Sequence, residues 1–227
     1  MTDTAPTLNR DAAITRSLLG WGVVAGPFYL IVGLVLALTR PGFDLTAHAL
    51  SLLTLGEGGW MQRANLVLSG LMVLAAAYGI FRAIRSGRGL AISALAAVYG
   101  AGLLLSALFR PDPVADFPPE ASAVEATAST AGILHLVFGT LGFIALAAAA
   151  LAYAAWMRAD SVPGPRWPAI GLAVLIVAGF VGGAALATNP AGVALLWLAV
   201  VAGWLWLALA CARIYRWVPH PDTGERR

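Results

Sequence analysis

Two histidines, His48 and His135, and one aspartate, Asp112, are the side chains of this sequence best suited to chemistry. Two imidazoles and a carboxylate can hold a divalent metal such as zinc with one position open, which would make metal-assisted catalysis available. Without a metal, Asp112 held protonated would act as the acid and a histidine as the base. Structural hydrogen bonding among the three, with Arg110 neutralising Asp112, is the third alternative. Their spacing matches no recognised metal motif.

A second constellation surrounds the first histidine. Asp44, His48 and Ser51 fall at i, i+4 and i+7 within the segment 43–55, with Leu45, Leu52, Leu53 and Leu55 around the rest. That pattern predicts a short amphipathic helix, lying at the membrane interface or re-entering the bilayer. Asp, His and Ser in this order invite comparison with a catalytic triad, but no nucleophile elbow surrounds Ser51, and Asp44 is equally suited to capping the helix. Arg40 and Arg110 each stand one residue before a proline. A guanidinium there can hold an anionic head group, or it can snorkel to the interface while the proline ends the helix. Trp197 and Trp204, seven residues apart, share one face of a helix at mid-depth. There they pack against neighbours or lipid, or stack on a ligand and stabilise a cation on an isoprenoid.

The elements that must position these residues are membrane spans. The chain has 227 residues, 60% of them hydrophobic and only 11% charged, with a mean hydropathy of +0.83. A spanning helix needs about 20 apolar residues to cross roughly 30 Å of hydrocarbon. Six uncharged stretches qualify, at 17–39, 64–81, 89–109, 127–157, 167–188 and 191–212. The fold class is therefore all-α and polytopic, with residues 1–16 as an N-terminal tail, 17–212 as the six-helix transmembrane domain and 213–227 as a C-terminal tail. The first stretch is too long for the apolar core of a signal peptide and runs into Arg40-Pro41, so it is expected to stay attached. Gly22 with Gly26, and Gly179 with Gly183, have the spacing that lets helix backbones approach closely in lipid.

Positive charge sets the orientation. Eleven of the fourteen arginines flank alternate loops and the two tails, which predicts cytoplasmic termini; Arg40, Arg63 and Arg110 lie on the other face. Six of the eleven acids, Asp44, Glu57, Asp112, Asp116, Glu120 and Glu125, share that outer face with His48 and His135. The chain has no lysine, so its formal charge of +3 comes from arginines that hold topology, and no basic surface exists for nucleic acid. The single Cys211 can form no disulfide within the chain. Spans free of Asp, Glu, Lys and Arg lack the mid-depth relay of an ion-coupled transporter.

The chain also matches itself at a shift of 70 residues. Ala37, Leu38, Arg40 and Pro41 recur as Ala107, Leu108, Arg110 and Pro111, and Asn65 falls at the position of His135. A fainter third copy ends at Ala187-Thr188-Asn189-Pro190, giving three hairpin-like repeats in one orientation.

The run Arg40-Pro41-Gly42-Phe43-Asp44 with His48 and Ser51, the run Phe109 to Pro113, and Gly132 with His135 resemble the bacterial integral membrane family called domain of unknown function 998. The resemblance implies a six-helix bundle and no established activity. The outer Ser, Asp and His also look a little like those of the zinc-binding ceramidase and progestin-receptor group, but the HxxxH pair of that pattern is absent from the last helices. The expectation from sequence is a multi-pass protein of the bacterial cytoplasmic membrane whose partners are membrane lipids. Association into a homo-oligomer is compatible with the sequence. The outer face would form a site for a lipid-like or isoprenoid substrate, with His48, Asp112 and His135 catalytic and Arg40, Asp44, Ser51, Arg110, Trp197 and Trp204 binding. A non-enzymatic lipid binder, scaffold or small transporter is the alternative.

Overall fold

The computed structural model describes residues 8–114, 117–119, 121, 128–187 and 189–222. Asp116, Glu120, Glu125, Thr188, Arg226 and Arg227 lie outside the described residues.

Six α-helices form where the apolar stretches lie: α1 (Arg10–Thr39), α2 (Gly59–Ala83), α3 (Gly87–Leu108), α4 (Thr130–Ala159), α5 (Trp167–Ala185) and α6 (Pro190–Trp217). Each is long and apolar enough to cross a membrane, and no strand occurs among the described residues. The protein is an all-helical, multi-pass membrane protein. Several helices outrun their apolar windows because polar side chains extend them. Asn9 caps α1 by accepting the Ala12 amide, so the helix starts at Arg10 rather than at position 17. At the other end of the chain α6 continues to Trp217, where Arg16 donates to the Val218 carbonyl at 2.9 Å and stacks over the Tyr215 ring. The Asn9 amide donates to the Pro221 carbonyl at 2.9 Å, which ties both ends of the chain to one end of the bundle.

Each helix packs on the next, and α6 returns to α1, so the six close into a ring. The paired glycines permit the tightest approaches. A Cβ at Gly22 would strike the Cys211 sulfur, and one at Gly26 would lie 2.9 Å from Trp204 Cβ, which seats α1 on α6. Gly179 and Gly183 do the same for α5, with ideal Cβ positions 2.7 and 2.9 Å from the Leu195 and Gly192 carbonyl oxygens. Polar side chains turn inward: Asn65 Nδ2 donates to the Tyr29 carbonyl and to Gln62 Oε1, both at 3.1 Å. Leu, Ile and Val side chains such as Ile31, Leu38, Leu108, Leu136 and Val181 cover the outside, the inverse of a water-soluble surface.

Two departures from this regular ring shape the end that holds His48 and His135. The first loop does not form one amphipathic helix. It makes turns through Asp44 and His48, extends at Ala49, and then forms a single 3-10 turn, Leu50–Thr54. Asp44, His48 and Ser51 therefore share no helical face. Leu50, Leu52, Leu53 and Leu55 are all buried, because leucines on both sides of the segment draw it down against α1 and α2 rather than along the interface. The second departure is in α4. All ten of its buried residues lie from Gly142 onward, so the half nearest His135 lines a gap instead of filling it.

Candidate functional site

That gap is a cavity of about 330 Å³ to which every helix of the ring contributes, together with the 3-10 turn. The volume is at the lower end of the roughly 300–1,000 Å³ typical of small-molecule sites. Its walls are mostly aromatic and aliphatic. Trp204, only 2% exposed, forms the floor, with Tyr29 and Tyr99 against it at ring-centroid distances of 5.1 and 5.5 Å. Phe143 stacks on Phe180 at 4.7 Å where α4 meets α5. Leu136 of α4, 58% exposed, and the exposed Ala184 and Ala187 at the end of α5 also line the cavity, which marks a mouth facing sideways between these helices.

His135 is the cavity's one ionisable imidazole. Its Nδ1 lies 2.7 Å from the Phe109 carbonyl oxygen and 3.3 Å from that of Ser106. Carbonyls only accept, so Nδ1 carries the proton and donates to the last turn of α3, whose terminal carbonyls lack helical partners. In the neutral ring Nε2 then keeps its lone pair, free to accept a hydrogen bond or a proton. Ser51, Ser106, Trp197 and Trp204 line the same cavity.

The other predicted site residues are elsewhere, each with a local task. His48 is 3% exposed, and its Nδ1 accepts the Asp44 amide at 2.9 Å. Its ring sits 5.3 Å from both Phe43 and Phe117, in a small aromatic cluster beneath the loops. The Asp44 carboxylate is exposed and accepts the Thr46 amide and hydroxyl, both at 2.7 Å. The Thr46 hydroxyl, followed by the Thr46 amide, holds this carboxyl below its usual range. It caps a turn, not a helix, and the Asp44, His48, Ser51 series makes no triad. Asp112 Oδ2 accepts the Ser129 amide at 3.1 Å, at the N-terminus of α4, where a negative charge is favoured. A Cβ on Gly132 would collide with this carboxylate. The Arg40 guanidinium donates to the Leu55 carbonyl and lies 5.9 Å from the centre of the Phe117 ring, clamping the first loop. Arg110 is exposed and makes no hydrogen bond or ion pair with another described residue.

Among the described residues no three of His, Cys, Asp or Glu gather as a metal site, so His48, Asp112 and His135 do not form one together. In this structure one lone pair of His48 is taken by a backbone amide and Asp112 is held on a helix end. Asp112 does not line the cavity, although it meets α4 at Gly132, three residues before His135.

The family model described as protein of unknown function DUF998 matches residues 23–213. The chain belongs to the DUF998 family. Neither a curated protein nor a solved structure matches it. The DUF998 match runs from near the middle of α1 almost to the end of α6, and so includes every residue that lines the cavity.

Sequence reasoning missed much of the DUF998 cavity wall: Tyr29, Tyr99, Phe138, Phe143 and Phe180. A signal for two of them was present. Tyr29 and Tyr99 are 70 residues apart, the same offset that relates Arg40-Pro41 to Arg110-Pro111. Both pack against Trp204.

Proposed function

We propose that this protein binds a lipid-like molecule within the membrane, its acyl or isoprenoid chain in the aromatic cavity and its polar group at His135 Nε2. The observation that carries this reading is an imidazole with a free lone pair at the wall of a largely apolar cavity that has a lateral mouth. A hydroxyl at the end of an apolar chain complements it: the chain buries carbon against Trp204, Tyr29 and Tyr99 while the hydroxyl donates to Nε2. The arginine asymmetry supports cytoplasmic termini in a bacterial cytoplasmic membrane, which puts the mouth toward the outer leaflet.

Binding is favoured over turnover because, among the described residues, no metal trio forms and no carboxylate or nucleophile is hydrogen-bonded to His135. A second reading, an enzyme acting on the same kind of molecule with His135 as base, draws on one observation, that Ser51 lines the cavity as well. In that case Ser51→Ala abolishes conversion and leaves binding unchanged.

The test is native mass spectrometry of protein extracted with its own lipids. Wild type should retain a defined lipid-like mass and folded His135→Ala should lose it. Retention unchanged by the substitution would overturn the reading.

A further inference from the structure

The opposite end of the bundle holds a second concavity with different chemistry. A groove of about 690 Å³ lies between the ends of α4 and α6, the start of α5 and the connection from α4 to α5. Its rim carries Arg213 and Arg216, and its walls descend through Leu209 to Trp206 and across to Tyr153 and Leu172. Ten residues of helix separate Arg216 from Trp206, a drop of about 15 Å at 1.5 Å per residue. The groove thus runs from the end of the span well into its apolar part.

Three polar groups of this groove, those of Arg213, Arg216 and Trp206, make no hydrogen bond or ion pair with another described residue. Among the described residues the ion pairs are Arg82 with Asp11 and His220 with Asp222, so neither rim arginine is paired with a described carboxylate. Arg213 is nevertheless held in place. Gly164, at φ +107°, passes so close that any side chain there would overlap the Arg213 guanidinium. The third group is the Trp206 indole N–H, on a side chain only 1% exposed, which has no acceptor among the described residues. A buried donor without an acceptor is uncommon enough to require a reason.

We infer that this groove binds an anionic phospholipid, with its phosphate between Arg213 and Arg216 and its glycerol esters and upper acyl chain along Leu209, Leu172 and Trp206. Two guanidinium groups at head-group level complement a phosphate diester. An ester carbonyl deeper in the groove is the kind of acceptor the Trp206 N–H lacks, and the apolar walls complement acyl chain rather than water. The site is separate from the cavity beside His135 and does not rest on the reading given for it.

The experiment offers purified protein equal amounts of phosphatidylglycerol and phosphatidylcholine in mixed micelles and measures the lipid retained by native mass spectrometry. Wild type should prefer phosphatidylglycerol. Arg216→Gln, at an exposed position, should weaken that preference roughly fivefold, and Arg213→Gln with Arg216→Gln by an order of magnitude or more. Arg158→Gln, an exposed arginine at the same end that does not line the groove, should change nothing. Equal retention of the two lipids by wild type, a preference that survives Arg216→Gln, or the same loss in Arg158→Gln would overturn the inference. So would displacement of phosphatidylglycerol by millimolar inorganic phosphate, which would mark a site for a free anion.

Discussion

His135 Nδ1 sits 2.7 Å from the carbonyl oxygen of Phe109, so that the imidazole of α4 ends the hydrogen-bond ladder of α3. This one contact both joins two helices and fixes which ring nitrogen is left for a ligand. The neutral ring should be the Nδ1–H tautomer. Long-range nitrogen-proton correlation on histidine-labelled protein should show a protonated Nδ1 and a bare Nε2 for His135. A bare Nδ1 would mean that the carbonyl contact is not a hydrogen bond and that Nε2 is not the free acceptor.

Asp112 is a structural anion on the N-terminus of α4. Asp112→Ala should destabilise the protein by about 0.5–2 kcal/mol, the usual range for losing a helix cap or a favourable charge at that end. Thermal unfolding in detergent measures this. Lipid retention at 4 °C should be unaffected, whereas loss of retention with unchanged stability would return Asp112 to the site chemistry.

Asp44 should give a small pH dependence of stability. Its carboxyl titrates lower in the folded protein than in the unfolded chain because the Thr46 hydroxyl and amide bind the ionised form. The contribution is therefore present above the unfolded carboxylate value, about 3.9, and is lost as pH falls through the lower folded one. Asp44→Ala should melt below wild type at pH 7, and the two melting curves should converge as the solution is acidified below the unfolded carboxylate value. A difference that persists in acid would show that Asp44 acts through something other than its charge.

The helices were legible because a 3.6-residue helix in lipid needs only a long apolar run, and six such runs are present. The glycine pairs were legible for a similar reason, since close backbone approach requires a missing side chain at fixed spacing. The site was half legible. Ser51, His135, Trp197 and Trp204 line one cavity, and the unusual depth of an imidazole pointed to the first of its walls. His48, Asp44 and Asp112 did not join it because short-range partners claimed their polar atoms: the Asp44 amide, Thr46 and Ser129. Such partners follow from loop geometry, which hydrophobic periodicity does not encode. Arg40 and Arg110 look alike in sequence but differ among the described residues, where the first loop folds back to offer Arg40 the Leu55 carbonyl.

Gly139 provides the most direct test of the cavity. It lines the cavity, and an ideal Cβ at this position meets nothing within 4 Å, so a larger residue enters open space without touching His135's hydrogen bonds. Replacing glycine in a helix interior also gains up to about 1 kcal/mol in helix propensity. Gly139→Leu should therefore keep or raise the melting temperature while the lipid-like molecule retained by wild type disappears from the native mass spectrum. Undiminished retention in a stably folded Gly139→Leu protein would contradict the account, because the ligand would then lie outside the cavity.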